Sequence, residues 1–159
     1  MILTIGITTL NRADYLAQTI DYLLKESISA RKSGKLEIVI INNYSADHTS
    51  SVLQKYRAFE NFIIAENPAT LPVYESVFNV LKLSSGQYFW CFGDDDLVPR
   101  GHIENLVGFL EHENCGLIVS DRQDFLQEQE IDLSPVQIRP EYIQNNQLIE
   151  DFRRFDRLF

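Results

Sequence analysis

The residues best equipped for chemistry fall in three short polar loops, each placed directly after an apolar, β-rich segment. They are Thr9-Leu10-Asn11-Arg12, Asn42-Asn43-Tyr44-Ser45-Ala46-Asp47 and Gly93-Asp94-Asp95-Asp96. The last is the most telling. Three adjacent carboxylates with no lysine or arginine among them repel one another, and a divalent cation is their usual neutraliser; oxygen donors suit hard Mg²⁺ or Mn²⁺. A solvated acidic turn at a helix start would have the same composition. Position after a buried strand favours the cation. Other candidates read as structure: His48, His102 and His112 are scattered without ligand spacing and read as surface or locally hydrogen-bonded side chains. Trp90 and Phe92 alternate on a strand and read as core. Ser50-Ser51 and Ser84-Ser85 lack a G-x-S-x-G setting. Neither G-x-G-x-x-G nor a P-loop occurs.

The elements that must position these loops follow from hydrophobic periodicity. Leu3 to Thr9 is rich in β-branched residues, and Asn11 with Asp14 reads as an N-cap and a following acid. Leu16, Ile20, Leu23, Leu24 and Ile28 recur at helical spacing as far as Ser33-Gly34. Leu36 to Ile41 is an almost unbroken apolar run, the pattern of a strand covered on both faces in a parallel sheet. Val52, Leu53 and Tyr56 give a short helix, Phe62 to Ala65 a third strand, and Asn67-Pro68 a break. A helix carrying Tyr74, Val77, Phe78 and Leu81 precedes a fourth strand, Tyr88 to Phe92. A helix with Leu106, Phe109 and Leu110 precedes a fifth, Gly116 to Ser120. This alternation predicts an α/β sandwich with a mostly parallel sheet, whose ligands gather at the carboxyl ends of the strands. Asp121 to Asp132 is acidic and glutamine-rich, a loop or hairpin. Leu148, Ile149, Phe152, Phe155, Leu158 and Phe159 then keep a helical period to the last residue.

Composition narrows the partners. The 159 residues are 45% hydrophobic and 23% charged, enough for one core without disulfide or structural metal. Cys91 and Cys115 lie in apolar stretches and read as buried thiols in a reduced, cytoplasmic domain. A formal charge of −9 repels a phosphate backbone, so nucleic acid is not the expected partner. No apolar run is long enough for a transmembrane segment.

The three loops also carry a resemblance. Ile5-Gly6-Ile7-Thr8-Thr9-Leu10-Asn11-Arg12 with Tyr15-Leu16 resembles the opening strand and loop of family-2 glycosyltransferases. Ile38 to Asp47 with Thr49 resembles their second motif. Ser85-Gly86-Gln87-Tyr88 through Asp96, with Pro99 and Gly101, resembles the strand that ends in their metal-binding Asp-x-Asp region. The resemblance implies a GT-A-like, Rossmann-like three-layer sandwich that binds a nucleotide-diphospho-sugar and, with Mg²⁺ or Mn²⁺, transfers the sugar to an acceptor hydroxyl with inversion. By position, Asp95 is the implied metal ligand, with Asp96 contributing. Thr9, Asn11, Asn42, Asp47, Asp94 and Asp96 are the implied nucleotide-sugar contacts; Arg12 could approach phosphate, but its type and position read first as a surface arginine.

Two departures from the family pattern matter. Gly93 replaces the first aspartate of Asp-x-Asp, so fewer protein groups hold the metal. Asn42 replaces the base-reading aspartate. An amide is complementary to a uracil or thymine edge, which favours a UDP- or dTDP-sugar over a GDP-sugar. Asn79 stands where relatives often present an Arg and Asn to the nucleotide.

Residues 1–120 are therefore expected to form the donor-binding core and 121–159 the start of an acceptor-side region. The general base is expected beyond Phe159, since Asp121, Asp124 and Glu128 are weak candidates and the terminal apolar stripe needs cover. The resemblance further implies a role in cell-surface polysaccharide synthesis, with a saccharide or lipid-linked saccharide acceptor that would bring the chain to the inner membrane face. The alternative is a truncated or degenerate domain that binds nucleotide or a partner chain without turnover.

Overall fold

The computed structural model describes residues 1–113 together with Gly116 and Ile118. Strands and helices alternate as β1 (Leu3–Thr9), α1 (Ala13–Glu26), α2 (Ile28–Lys32), β2 (Leu36–Asn42), α3 (Thr49–Gln54), β3 (Phe62–Glu66), α4 (Val73–Leu83), β4 (Tyr88–Phe92) and α5 (His102–His112). The four strands pair in parallel in the order β3-β2-β1-β4. From β1 the chain builds outward through β2 and β3, then returns to place β4 on the other side of β1. Ligands in open α/β sheets bind outside the carboxyl ends of the strands at such a reversal of order.

The β-branched segment of β1 and the near-continuous apolar run of β2 are the two central strands, and every residue of β2 is buried. Ile5 pairs with Ile38, Ile7 with Ile40 and Thr9 with Asn42, so the first two loops leave the sheet at one level. Ile7 pairs with Phe92, which brings the acidic turn to the same edge. On one face, Leu16, Ile20 and Leu23 of α1, Leu53 of α3 and Ile103 and Leu106 of α5 pack over Ile5, Ile7, Ile38 and Ile40. Each fully buried Leu or Ile contributes about 1.5–3 kcal/mol of transfer free energy. On the other face α4 sets Val80 against Val39 and Ile41, with Phe89 beside them. Gly6 makes that approach feasible: a Cβ there would lie 2.3 Å from Phe89 Cε2 and 2.8 Å from Val80 Cγ1.

Three details differ from the sequence reading. The first long helix breaks at Ser27, whose hydroxyl donates to the Leu23 carbonyl at 2.6 Å and accepts from Arg31 Nε at 3.1 Å. The new start at α2 is satisfied by Glu104 of α5, which accepts from the amides of Ser29 and Ala30. Cys91 is exposed rather than buried, because it lies on the face of β4 beyond the cover that α4 gives β1 and β2. His102 is half-buried against Trp90, 6.1 Å between ring centroids, and burial pushes its imidazole pKa down. Cys115, the expected fifth strand, and the expectations for Asp121 to Phe159 fall outside the described residues, apart from Gly116 and Ile118.

At the amino-terminal edge of the sheet, Glu37 is buried and accepts from Thr4 Oγ1 at 2.6 Å and from the amide and hydroxyl of Ser85 at 2.5 and 2.9 Å. These bonds fix the entry to β4 against β1 and β2, and so set the height at which the acidic turn emerges.

Candidate functional site

The first two loops are latched to each other by polar side chains. Asn11 adopts a left-handed φ of 55°, which asparagine tolerates better than most residues. Its amide donates to Ser45 Oγ at 2.9 Å, and its side-chain oxygen accepts from the Ala46 amide at 2.7 Å. Asn11 is therefore not the N-cap of α1. Arg12 holds that position without a side-chain capping bond. Asp47, from the second loop, caps instead: its carboxylate accepts from the Ala13 amide at 3.2 Å and from the Thr49 amide and hydroxyl at 3.0 and 2.5 Å. One carboxylate thus serves the first turns of α1 and α3. Desolvation acts to raise its pKa, but the bonds from Thr49 and Ala13 and the nearby His48 outweigh that and hold it below the usual carboxylate range.

Across the reversal of strand order, the first loop meets the acidic turn. Thr9 Oγ1 donates to Asp94 Oδ2 at 2.7 Å, and both residues are buried. Thr19 of α1 donates to the Asp94 carbonyl at 3.0 Å. Arg12 Nε lies 3.2 Å from Asp94 Oδ1, its Nη2 bonds Asp95 Oδ2, and its guanidinium stacks over the Tyr15 ring, 5.1 Å from the centroid. Burial pushes the Asp94 carboxyl above its ordinary pKa despite the opposing Thr9 bond and Arg12 charge. Asp96 turns back to accept from the Gly93 amide at 3.0 Å. A Cβ at residue 93 would lie 2.6 Å from Asp96 Oδ2, so the glycine makes room for that bond. The cation missing from the local sequence of the aspartates is supplied from 83 residues earlier.

Asn42 is buried, with its amide engaged. Its Nδ2 donates to Ser50 Oγ at 3.0 Å and to Glu66 Oε2 at 3.4 Å, and its Oδ1 accepts from the Ser45 amide at 3.0 Å. Next to it lies a polar network that sequence reasoning missed. Asn67 Nδ2 donates to Asn43 Oδ1 at 2.8 Å and to Ser76 Oγ at 3.0 Å, Ser76 bonds the Thr8 hydroxyl, and Asn79 donates to Asn67 Oδ1 at 3.0 Å. Asn43 also binds both the amide and the carbonyl of Leu71. Asn79 thus supports the loop after β3. The available signal was the set of asparagines at strand ends flanking the Asn67-Pro68 break.

The donor chemistry fits a hard divalent cation that a ligand helps to hold. Asp95 is half-exposed, at 47%, Asp96 is exposed beside it, and all the candidate donors are oxygens. Among the described residues no group of three or more His, Cys, Asp or Glu is gathered for a metal.

A family model, Glycosyl transferase family 2, matches residues 4–155. The chain is 28% identical over 128 residues to abequosyltransferase RfbV of Salmonella typhimurium, covering 78% of this chain and 37% of that protein. It is 28% identical over 114 residues to poly(ribitol-phosphate) beta-N-acetylglucosaminyltransferase TarP of Staphylococcus aureus, covering 70% of this chain and 33% of that protein. It thus spans about a third of the length of these relatives. Among solved structures, TarS of S. aureus, residues 1–349, in complex with UDP-GlcNAc, superposes with a TM-score of 0.61 at 19% identity. That match covers 70% of this chain and 31% of TarS and concerns the fold, a GT-A glycosyltransferase fold. No helix among the described residues is long and apolar enough to cross a membrane. With a parallel sheet of this order, an acidic turn at its reversal point and a family match over nearly all its length, the chain belongs to glycosyl transferase family 2.

Proposed function

We propose that this chain carries the donor-binding part of an inverting glycosyltransferase that uses a UDP- or dTDP-sugar in cell-surface polysaccharide or teichoic acid synthesis. The observation that carries the reading is the meeting of the Thr9–Arg12 loop and the Asp94–Asp96 turn at the reversal point of a family-2 sheet. The diphosphate of the donor is placed in that crevice. The reaction forms a bond from the acceptor oxygen to the anomeric carbon, on the face opposite the phosphate. The bond to the phosphate oxygen breaks, the nucleoside diphosphate leaves, and the acceptor proton passes to a carboxylate base.

A bound Mg²⁺ or Mn²⁺ supplies Lewis-acid neutralisation of the leaving diphosphate, and Asp95, with Asp96, would hold it. Asp94, kept in place by Thr9 and Thr19, is assigned to the ribose edge of the site, with Thr9 and Asn11 lining the same wall. Asn42 and Asp47 act from behind by fixing the second loop. The pyrimidine preference is supported by the UDP-GlcNAc complex of the fold neighbour TarS. The acceptor is proposed to be a saccharide or lipid-linked saccharide, met at the inner face of the membrane.

Calorimetric titration of the chain with UDP, dTDP and GDP, each with and without Mn²⁺, tests the reading. Mn²⁺-dependent binding of UDP or dTDP that is lost in Asp95→Ala is expected. No binding at millimolar ligand would discard the donor site, and tighter binding of GDP would overturn the pyrimidine preference.

A further inference from the structure

The acidic turn does not stand open. Among the described residues the ion pairs of Asp94 and Asp95 are both made by Arg12, which reaches them through different nitrogens of one guanidinium, Nε to Asp94 and Nη2 to Asp95. The planar fork matches two carboxylates in a way a lysine ammonium could not. Tyr15, in the first turn of α1, lies under the guanidinium. Yet the Arg12 side chain is 42% exposed, and among the described residues the bonds that hold it are those to the turn and its ring contact. It is placed well and anchored lightly. Its positive charge sits where Asp95 would offer an oxygen to a cation.

We propose that Arg12 is the built-in counter-ion of the acidic turn, which an arriving cation displaces from Asp95 and which then moves onto the donor's diphosphate. The proposal rests on the donor-site reading above and adds a role for this chain's own arginine. Three carboxylates and one guanidinium leave the free turn negative enough to stay attractive to a cation, while the guanidinium competes with that cation for Asp95. Partly exposed pairs of this kind contribute little each, so the competition is worth roughly three- to thirtyfold in metal affinity. The released guanidinium lies one residue from Asn11 on the wall of the proposed diphosphate crevice, and its fork is suited to phosphate oxygens. Metal and nucleotide then bind as a coupled pair: the diphosphate gives Arg12 a new partner and so relieves the competition at Asp95.

The test is Mn²⁺ binding followed by electron paramagnetic resonance, with no nucleotide and then with UDP, on the full chain and on Arg12→Gln, Arg12→Lys and Asp95→Asn. Without nucleotide, Arg12→Gln is expected to bind Mn²⁺ roughly three- to thirtyfold more tightly than the native chain, with Arg12→Lys between the two. With Mn²⁺ present, UDP should bind Arg12→Gln more weakly than the native chain. Equal Mn²⁺ affinity of the native chain and Arg12→Gln without nucleotide would overturn the proposal. The donor-site reading would survive if Mn²⁺–UDP binding were still lost in Asp95→Asn. Tighter Mn²⁺ binding with unchanged UDP affinity would overturn the transfer to diphosphate. Absence of both Mn²⁺ and UDP binding in every protein would remove the donor site and the proposal together. Thermal unfolding of each variant identifies any that fails to fold, and the arginine-to-lysine variant then carries the comparison.

Discussion

Replacing Asp47 by alanine separates contact with nucleotide, which the resemblance implies, from clamping of the loops, which the structure shows. The carboxylate accepts the first amide of α1 at 3.2 Å and two donors of Thr49 at the start of α3. Loss of a helix cap costs about 1 kcal/mol on average, with a range of about 0.5–2. Two helix starts are affected, but Asp47 is exposed and water takes over part of its work, so the expected loss is about 1.5–2 kcal/mol. Urea unfolding followed by circular dichroism at neutral pH measures it. Asp47→Asn keeps an acceptor oxygen, should lose less than half as much, and should bind UDP within about twofold of the native chain. The pH dependence has a fixed sign. The folded carboxyl lies below its unfolded value, so its contribution is present above an unfolded pKa of about 3.9 and fades as pH falls through the lower folded value. The stability gap between native chain and Asp47→Ala should shrink over that window. Unchanged stability in Asp47→Ala would refute the clamping argument. So would a tenfold loss of UDP affinity in an Asp47→Asn protein of native stability, which would put Asp47 against the nucleotide.

Gly6→Ala should destabilise the chain by about 1–3 kcal/mol in urea unfolding, because its methyl would lie 2.3 Å from the Phe89 ring and 2.8 Å from Val80. Thr9→Val keeps shape but removes the hydroxyl that reaches buried Asp94; an expected loss of about 1.5–3 kcal/mol, the range for a bond to a charged group, is read by the same assay. Tyr56 donates to Asp21 at 2.7 Å, and burial, with that carboxylate, pushes its phenol up to about 12. Its stabilisation is therefore full below the unfolded value of about 10 and lost as pH rises to about 12, and Tyr56→Phe should flatten that alkaline limb in unfolding curves.

Much of the frame was legible because it rests on local pattern. The β-branched segment Leu3–Thr9 and the run Tyr88–Phe92 are the observed strands, and the alternation of strand and helix pointed to the parallel sheet. What escaped depends on distance in sequence. Arg12 reads as a surface arginine until the strand order brings it beside Asp94 and Asp95. Asn11 has the residue type of a cap, yet a left-handed backbone turns it toward the second loop, and a carboxylate from that loop takes over the cap. Asn42 offers an amide by type, but its burial and three partners are visible only once β2 and β3 are paired. Cys91 shows the converse limit: an apolar neighbourhood in sequence does not reveal that one helix covers only part of a sheet face.

The parallel sheet has a kinetic corollary. Every strand pairing joins segments distant along the chain, and the bond from Thr9 to Asp94 spans 85 residues. Non-local pairings of this sort form slowly, and the crevice between β1 and β4 has no counterpart in any short fragment. A nucleotide that binds there recognises a surface present only after the sheet closes. It should slow the unfolding arm of a stopped-flow chevron in proportion to occupancy while leaving the refolding arm unchanged, since it has nothing to hold in the folding transition state.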